Sequence, residues 1–152
     1  MTATATVDSP LGPLTLVESE GALTHLRWGE GGDAASTPLL KDAAAQLAAY
    51  FTGTRTRFEL PLAPRGNTLQ QQVFALMSAI PFGETRSYGD LARKLGTYGQ
   101  PIGQACGANT IPIIIPCHRI LSAEGLGGYS GEGGVETKIW LLRHENAYPF
   151  LI

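Results

Sequence analysis

Residues 52–67 read TGTRTRFELPLAPRGN, a stretch with two prolines, two glycines and no helical period. Such a segment continues neither a helix nor an inner strand, so it divides the chain into parts that must build their own cores. The patterns on its two sides differ. Upstream, Leu14 and Leu16 alternate with Thr15 and Val17, and Leu26 and Trp28 with His25 and Arg27, around a polar turn at residues 18–21. That is the period of a hairpin. A glycine-rich break at residues 29–36 follows, and then Leu40, Ala43, Leu47, Tyr50 and Phe51 recur at helical spacing, predicting an amphipathic helix over residues 39–51.

Downstream the periods are helical. Thr68 with Gln71 reads as a capping box, opening a helix whose apolar face is Leu69, Val73, Phe74, Met77 and Ile80 before Pro81 ends it. Ser87 with Asp90 repeats that signal ahead of Leu91, Ala92 and Leu95, and Gly96 is placed to close the helix. A turn at residues 97–99 leads to a helix of small residues at 100–108, with Pro101 in its first turn, so the pair reads as a helix-turn-helix. A buried strand or extended segment at 112–120, a glycine-rich loop at 125–134 and a last helix at 134–145, with Val135, Ile139 and Leu142 on one face, complete the chain. The expected class is α+β: a small sheet-plus-helix domain with linker over residues 1–60, then a mainly helical, winged-helix-like domain over 61–152.

Composition excludes several functions. The chain is 43% hydrophobic, enough for a core without disulfides or metal, and its two cysteines, Cys106 and Cys117, fit neither a disulfide framework nor zinc-site spacing. No long apolar run or signal-like N-terminus occurs, so a soluble cytoplasmic protein with no membrane partner is expected. Net charge is −2, and no Lys, Arg, Asp or Glu lies between Gly96 and Cys117, so that stretch does not grip phosphates by side-chain charge.

The sharpest chemical signal is PIIIPCHRI at residues 112–120. A cysteine is a nucleophile only as its thiolate, and an imidazole held by a carboxylate can take the proton. Cys117 and His118 supply two members of that set; Glu145 is the attractive third, with Glu124, Glu132 and Glu136 also open. Neighbours on an ideal strand face opposite ways, so a bend at Pro116 or a bridging water has to bring Cys117 and His118 to one task.

PCHRI, with Asn109 eight residues before the cysteine, the loop GGYSG and the helix VETKIWLLRHE after it, resembles the active-site region of the O6-alkylguanine-DNA alkyltransferases. FGETRSYGDLA at 82–92 and SPLGPLTL at 9–16 extend the resemblance over nearly the whole chain. It implies direct-reversal DNA repair. The protein would bind duplex DNA through the minor groove as a monomer, flip out O6-alkylguanine or O4-alkylthymine, and move the alkyl group irreversibly to Cys117 without a cofactor. By position, His118 would make the thiolate through a water and Glu145 would orient His118. Tyr88 would help turn the target phosphate and protonate guanine N3, and Asn109 would order the turn before the cysteine. The resemblance places Tyr129, Ser130 and Pro112 at the substrate pocket, and Gln100, Arg86, Ser87, Gly103 and Arg119 at the DNA.

Three departures from the family's pattern stand out. Gln100 occupies the position where the family inserts an arginine into the base stack, which predicts weaker or more salt-sensitive DNA engagement. The family's Asn-Pro pair is Asn109-Thr110 here. The N-terminal domain has no cysteine, so no zinc is expected. The rival readings are an alkylated-DNA binder or alkylation-responsive regulator without efficient repair, and a cysteine hydrolase, which would turn over repeatedly.

Overall fold

The computed structural model describes residues 2–31 and 37–148. It divides into two compact units, Met1–Arg65 and Gly66–Ile152. In the first, strands β1 (Thr2–Val7), β2 (Leu14–Ser19) and β3 (Ala22–Trp28) form an antiparallel sheet in sequential order, with a bulge in the β2–β3 register at Val17/Glu18. Helix α1 (Pro38–Thr52) packs on β1 and β2 and buries Leu40, Ala43, Leu47 and Tyr50 beside Leu14, Leu16, Leu23 and Leu26. Fully burying each leucine side chain contributes about 1.5–3 kcal/mol. The Thr37 hydroxyl accepts from Leu40 N, and Gly53 closes the helix in the left-handed region at φ 84°. Within the glycine-rich break expected at 29–36, residues 32–36 lie outside the described part of the chain.

Residues 61–65, which the sequence patterns put with the second domain, pair back onto the first. Leu23 N donates to Pro61 O and Ala63 N to Leu23 O, so the division falls after Arg65. Gln46, buried on α1, holds the same segment by accepting from Glu59 N and donating to Glu59 O.

The second unit begins with α2 (Thr68–Ser78). Its capping box lies one residue earlier than the sequence suggests: Asn67 Oδ1 accepts from Gln70 N while Gln70 Oε1 accepts from Asn67 N. Asparagine at 67 makes the box with Gln70, which leaves Thr68 as the first helical residue. Strand β4 (Arg86–Ser87) runs into α3 (Tyr88–Leu95), where the Ser87–Asp90 box forms as read, and Gly96 ends the helix at φ 65°. Helix α4 (Gly99–Gly107) follows after a short turn, giving the helix-turn-helix. β4 pairs in parallel with β5 (Ile120–Leu121), a wing of two residues per strand. α5 (Val135–His144) is the last element described.

Two expectations are corrected here. The segment 112–120 is not a strand along most of its length. Ile114 N donates to Pro112 O across Ile113, which has φ 72°, and Cys117 N donates to Ile115 O across Pro116, at φ −83° and ψ 69°. These are two successive γ-turns, the first of the rare strained kind, which a β-branched residue adopts only when its surroundings compel it. A 3-10 turn at Cys117–Arg119 follows directly. The buried face of α5 is also not Val135, Ile139 and Leu142. Lys138, Leu141 and Leu142 point inward with Glu145 just beyond, while Val135 is exposed. Two charged residues on the inner face disguised it.

Candidate active site

The isoleucines at 111, 113, 114 and 115 are buried and anchor the turns from below. Asn109 fixes them from the side: its Nδ2 donates to Ile115 O at 2.8 Å and its Oδ1 accepts from Ile111 N at 3.0 Å. These bonds and the burial offset the strain at Ile113, about 1–3 kcal/mol for such a backbone. The chain thereby delivers Cys117 to the floor of a cavity of about 280 Å³ lined by Tyr88, Gly103, Cys106, Gly107, Cys117, Gly128, Tyr129 and Ser130. β4 pairs in parallel with β5, Arg86 beside Ile120 and Ser87 beside Leu121, and Tyr88, the first residue after β4, lines the same cavity as Cys117.

Behind the thiol lies a buried polar group. His118 is fully buried, and its Nε2 is 2.7 Å from Glu145 Oε2. Arg119 Nε and Nη2 donate to the two Glu145 oxygens at 2.8 and 3.0 Å, and Nη1 donates to Ile80 O at 2.6 Å. Burial pushes the Glu145 carboxyl up, but the hydrogen bonds and charges of His118 and Arg119 outweigh it and hold the group at about 2. Burial pulls the His118 ring down more than its bond to Glu145 raises it, so the imidazole is neutral near pH 7, and Arg119 is then the charge that keeps Glu145 ionised. An ionised carboxylate at Nε2 fixes the tautomer: Nε2–H donates to Glu145 and Nδ1 keeps its lone pair. Nδ1 is buried and has no hydrogen-bond partner in the protein, so its lone pair is left unengaged.

The thiol itself is held protonated at rest. Burial pushes Cys117 up, against a hydrogen bond from Asn109 and the charge of Lys138. Tyr88 is pushed up to about 12, first by burial and then by charge at Cys106 and Cys117, so it remains a phenol able to donate. Its ring packs so closely on Gly127 that an added Cβ there would lie 3.0 Å from Tyr88 Cε2 and 3.3 Å from the hydroxyl oxygen. With φ at 73° as well, position 127 admits glycine alone.

Lys138 is the residue that sequence reasoning missed. It is fully buried on α5, and its ammonium donates to Ile120 O and Leu126 O at 2.6 Å and to Gly128 O at 3.1 Å, using all three protons. It thus pins β5 and the loop that forms the cavity wall to one point. Burial lowers it to about 8, which still leaves it charged at neutral pH. The spacing of Lys138, Leu141, Leu142 and Glu145 on one helical face was the available signal. Lys138→Met is expected to leave three carbonyls without their donor, at about 1–3 kcal/mol for each one that stays buried and unsatisfied. A lower denaturation midpoint together with a slower single-turnover reaction would show it; an unchanged rate in a folded variant would sink the idea.

The structure places the other expected residues as follows. Tyr129 and Ser130 line the cavity, and so do Gly103, read as a DNA contact, and Cys106 and Gly107, which had no role. Pro112 is buried and is not among the residues lining the cavity, which corrects its assignment: its carbonyl accepts from Ile114 N in the first turn. Arg119 is corrected too. Only 6% exposed and bound to Glu145 and Ile80, it is an internal strut and presents nothing to DNA. The Ser87 hydroxyl is spent capping α3, Arg86 pairs with Glu84 at 3.1 Å, and Gln100 is exposed on the first turn of α4.

A protonated thiol lining a cavity, with a neutral imidazole next to it in the chain and a buried carboxylate on that ring, defines a nucleophilic cysteine rather than a structural thiol. Two family models match the chain: the 6-O-methylguanine DNA methyltransferase ribonuclease-like domain over residues 3–64 and the DNA binding domain of the same family over residues 68–147. The chain belongs to the 6-O-methylguanine DNA methyltransferase family. A methylated-DNA–protein-cysteine methyltransferase of Mycobacterium tuberculosis is 43% identical over 93% of this chain and 91% of its own length. The constitutive one of Bacillus subtilis is 38% identical over 92% and 93%. A crystal structure of the Mycobacterium tuberculosis protein in complex with DNA superposes with a TM-score of 0.83 at 42% identity, covering 95% of this chain and 92% of that one. Among the described residues, no helix is long and apolar enough to cross a membrane.

Proposed function

We propose that this protein repairs alkylated DNA directly, moving the alkyl group of O6-alkylguanine, and of O4-alkylthymine, onto Cys117 once per molecule. The observation that carries this reading is the cavity itself, which has Cys117 at its floor and His118–Glu145 behind it. The helix-turn-helix enters the minor groove as a monomer working in the cytoplasm, and the damaged nucleotide swings into the cavity. His118 Nδ1 takes the Cys117 proton through a bridging water, and Glu145 stabilises the imidazolium that forms. The sulfur attacks the alkyl carbon in line, an S–C bond forms, the C–O6 bond breaks, and its electron pair passes into the guanine ring. Tyr88 donates its phenolic proton to N3, so the base leaves neutral, and the imidazolium restores that proton. Tyr129 and Ser130 frame the base, with the Ser130 region at O6, and Asn109 keeps the turn in place. Nothing in this sequence regenerates the thiol.

The test is intact-mass and peptide mass spectrometry after mixing the protein with excess duplex bearing one O6-methylguanine. One methyl on Cys117 and no second turnover support the reading; a free Cys117 with methylated DNA left intact, or repeated turnover, refutes it. Tyr88→Phe keeps the ring against Gly127 but removes the proton donor. It is expected to slow transfer about 10²–10⁴-fold, the usual worth of a general acid, with the thiol still titratable. Quenched-flow rates on the same duplex check this, and a rate equal to wild type removes Tyr88 from the proton path.

A further inference from the structure

Among the described residues, Tyr98 is the large hydrophobic side chain most at odds with its surroundings: it is 82% exposed, at the turn between α3 and α4. Its backbone caps α4, but its side chain makes no capping hydrogen bond. Gly99 and Gln100, which follow it, are exposed as well, and so is Lys94 at the end of α3. Farther along the same helix, Gly103 and Gly107 line the cavity that holds Cys117. A single nine-residue helix therefore presents an aromatic ring at its first end and walls the cavity with its second half.

Resting on the alkyl-transfer reading above, we propose that Tyr98 is the side chain that enters the duplex and stacks where the damaged base has left. A nucleotide drawn into the cavity leaves its neighbours unstacked, and a planar ring in the gap restores about 1–3 kcal/mol per base. Tyrosine suits that position, because only two side-chain torsions have to be ordered. Its ring needs no charge, which fits a helix without a single charged side chain. Gln100, one step further on, is left to hydrogen-bond the unpaired partner base. Tyr98 and Gln100 then divide between them the stacking and the polar contact, and an uncharged wedge releases fewer counterions than a cationic one, which reverses the more salt-sensitive engagement expected from Gln100 alone.

The proposal separates two substrates. Single-turnover rates are measured on duplex carrying O6-methylguanine and on free O6-benzylguanine base, for the wild type, Tyr98→Ala, Tyr98→Phe and Tyr98→Trp. Tyr98→Ala is expected to lose about 10–100-fold on duplex, the stacking worth of a base, with the free-base rate unchanged. Tyr98→Phe and Tyr98→Trp, which keep the ring, are expected to recover the duplex rate. A Tyr98→Ala protein as fast as wild type on duplex, equal losses on the two substrates, or a Phe variant as slow as the Ala variant would each overturn the assignment. Failure of the wild type itself on duplex would instead overturn the repair reading.

Discussion

Cys117→Ala is expected to abolish alkyl transfer while leaving duplex binding unchanged, because the thiol lies on the cavity floor and is absent from the exposed end of α4. The informative part of that result concerns Cys106, which lines the same cavity. Proximity alone would make it a substitute acceptor. Its state forbids this: burial and the neighbouring Cys117 push its thiol to about 12, and its S–H is directed at Met77 Sδ, 3.7 Å away. At neutral pH a thiol raised that far is almost wholly protonated and therefore a poor nucleophile. Peptide mapping of the Cys117→Ala protein after prolonged exposure to alkylated duplex should find Cys106 unmodified. An alkyl group on Cys106 would mean that the cavity activates any thiol placed in it, and that His118 is not the base.

Glu145→Gln is expected to cost both rate and stability, for separable reasons. The neutral amide no longer selects the His118 tautomer with a free Nδ1, which should slow transfer about 10²–10⁴-fold. It also leaves the Arg119 guanidinium buried without its counter-charge, at about 3–5 kcal/mol by analogy with broken buried pairs. Adding Arg119→Met to Glu145→Gln separates the two, since it removes the unpaired buried cation while the His118 tautomer stays unselected. Stability in urea should recover in part and the transfer rate should not. The same pair sets the acid limit. Because the folded carboxyl lies at about 2 and its ordinary value is 4.5, its contribution is complete above pH 4.5 and drains away as pH falls toward 2. His118, lowered from 6.5, remains an unprotonated base below the pH at which an ordinary histidine charges. Wild-type transfer should therefore hold level through pH 6.5 and decline only below it, and a decline beginning above pH 7 would show a charged resting imidazole.

Local signals proved legible where one or two neighbouring residues decide the outcome. Ser87 with Asp90 and Gly96 bounded α3 correctly, because a cap is a short-range hydrogen bond or a left-handed backbone. The hairpin and α1 were equally plain from their periods. β1 was not, since TATATV alternates threonine with alanine and offers little contrast. The turns at 112–117 were missed because an apolar run reads the same whether it is extended or folded back on itself; only long-range burial holds Ile113 at φ 72°. Cys117, His118 and Glu145 were found by chemistry and resemblance together. Arg119 and Lys138 were misread or missed for one shared reason: charge is taken as a mark of the surface, and their partners come from sequence positions far away, Ile80 and Glu145 for the one, Ile120, Leu126 and Gly128 for the other.

Both residues that complete the pocket lie after the thiol they serve, Lys138 on α5 and Glu145 at its end. A ribosome building the chain from its N-terminus adds Cys117 about 1–6 s before these two, at about 5–20 residues per second. During that interval the cysteine is an ordinary thiol without an oriented base, and the cavity wall at residues 126–128 has no anchor. Reactivity therefore arrives late in synthesis and all at once, and a nascent or prematurely ended chain that stops short of Glu145 holds an acceptor that has not been armed.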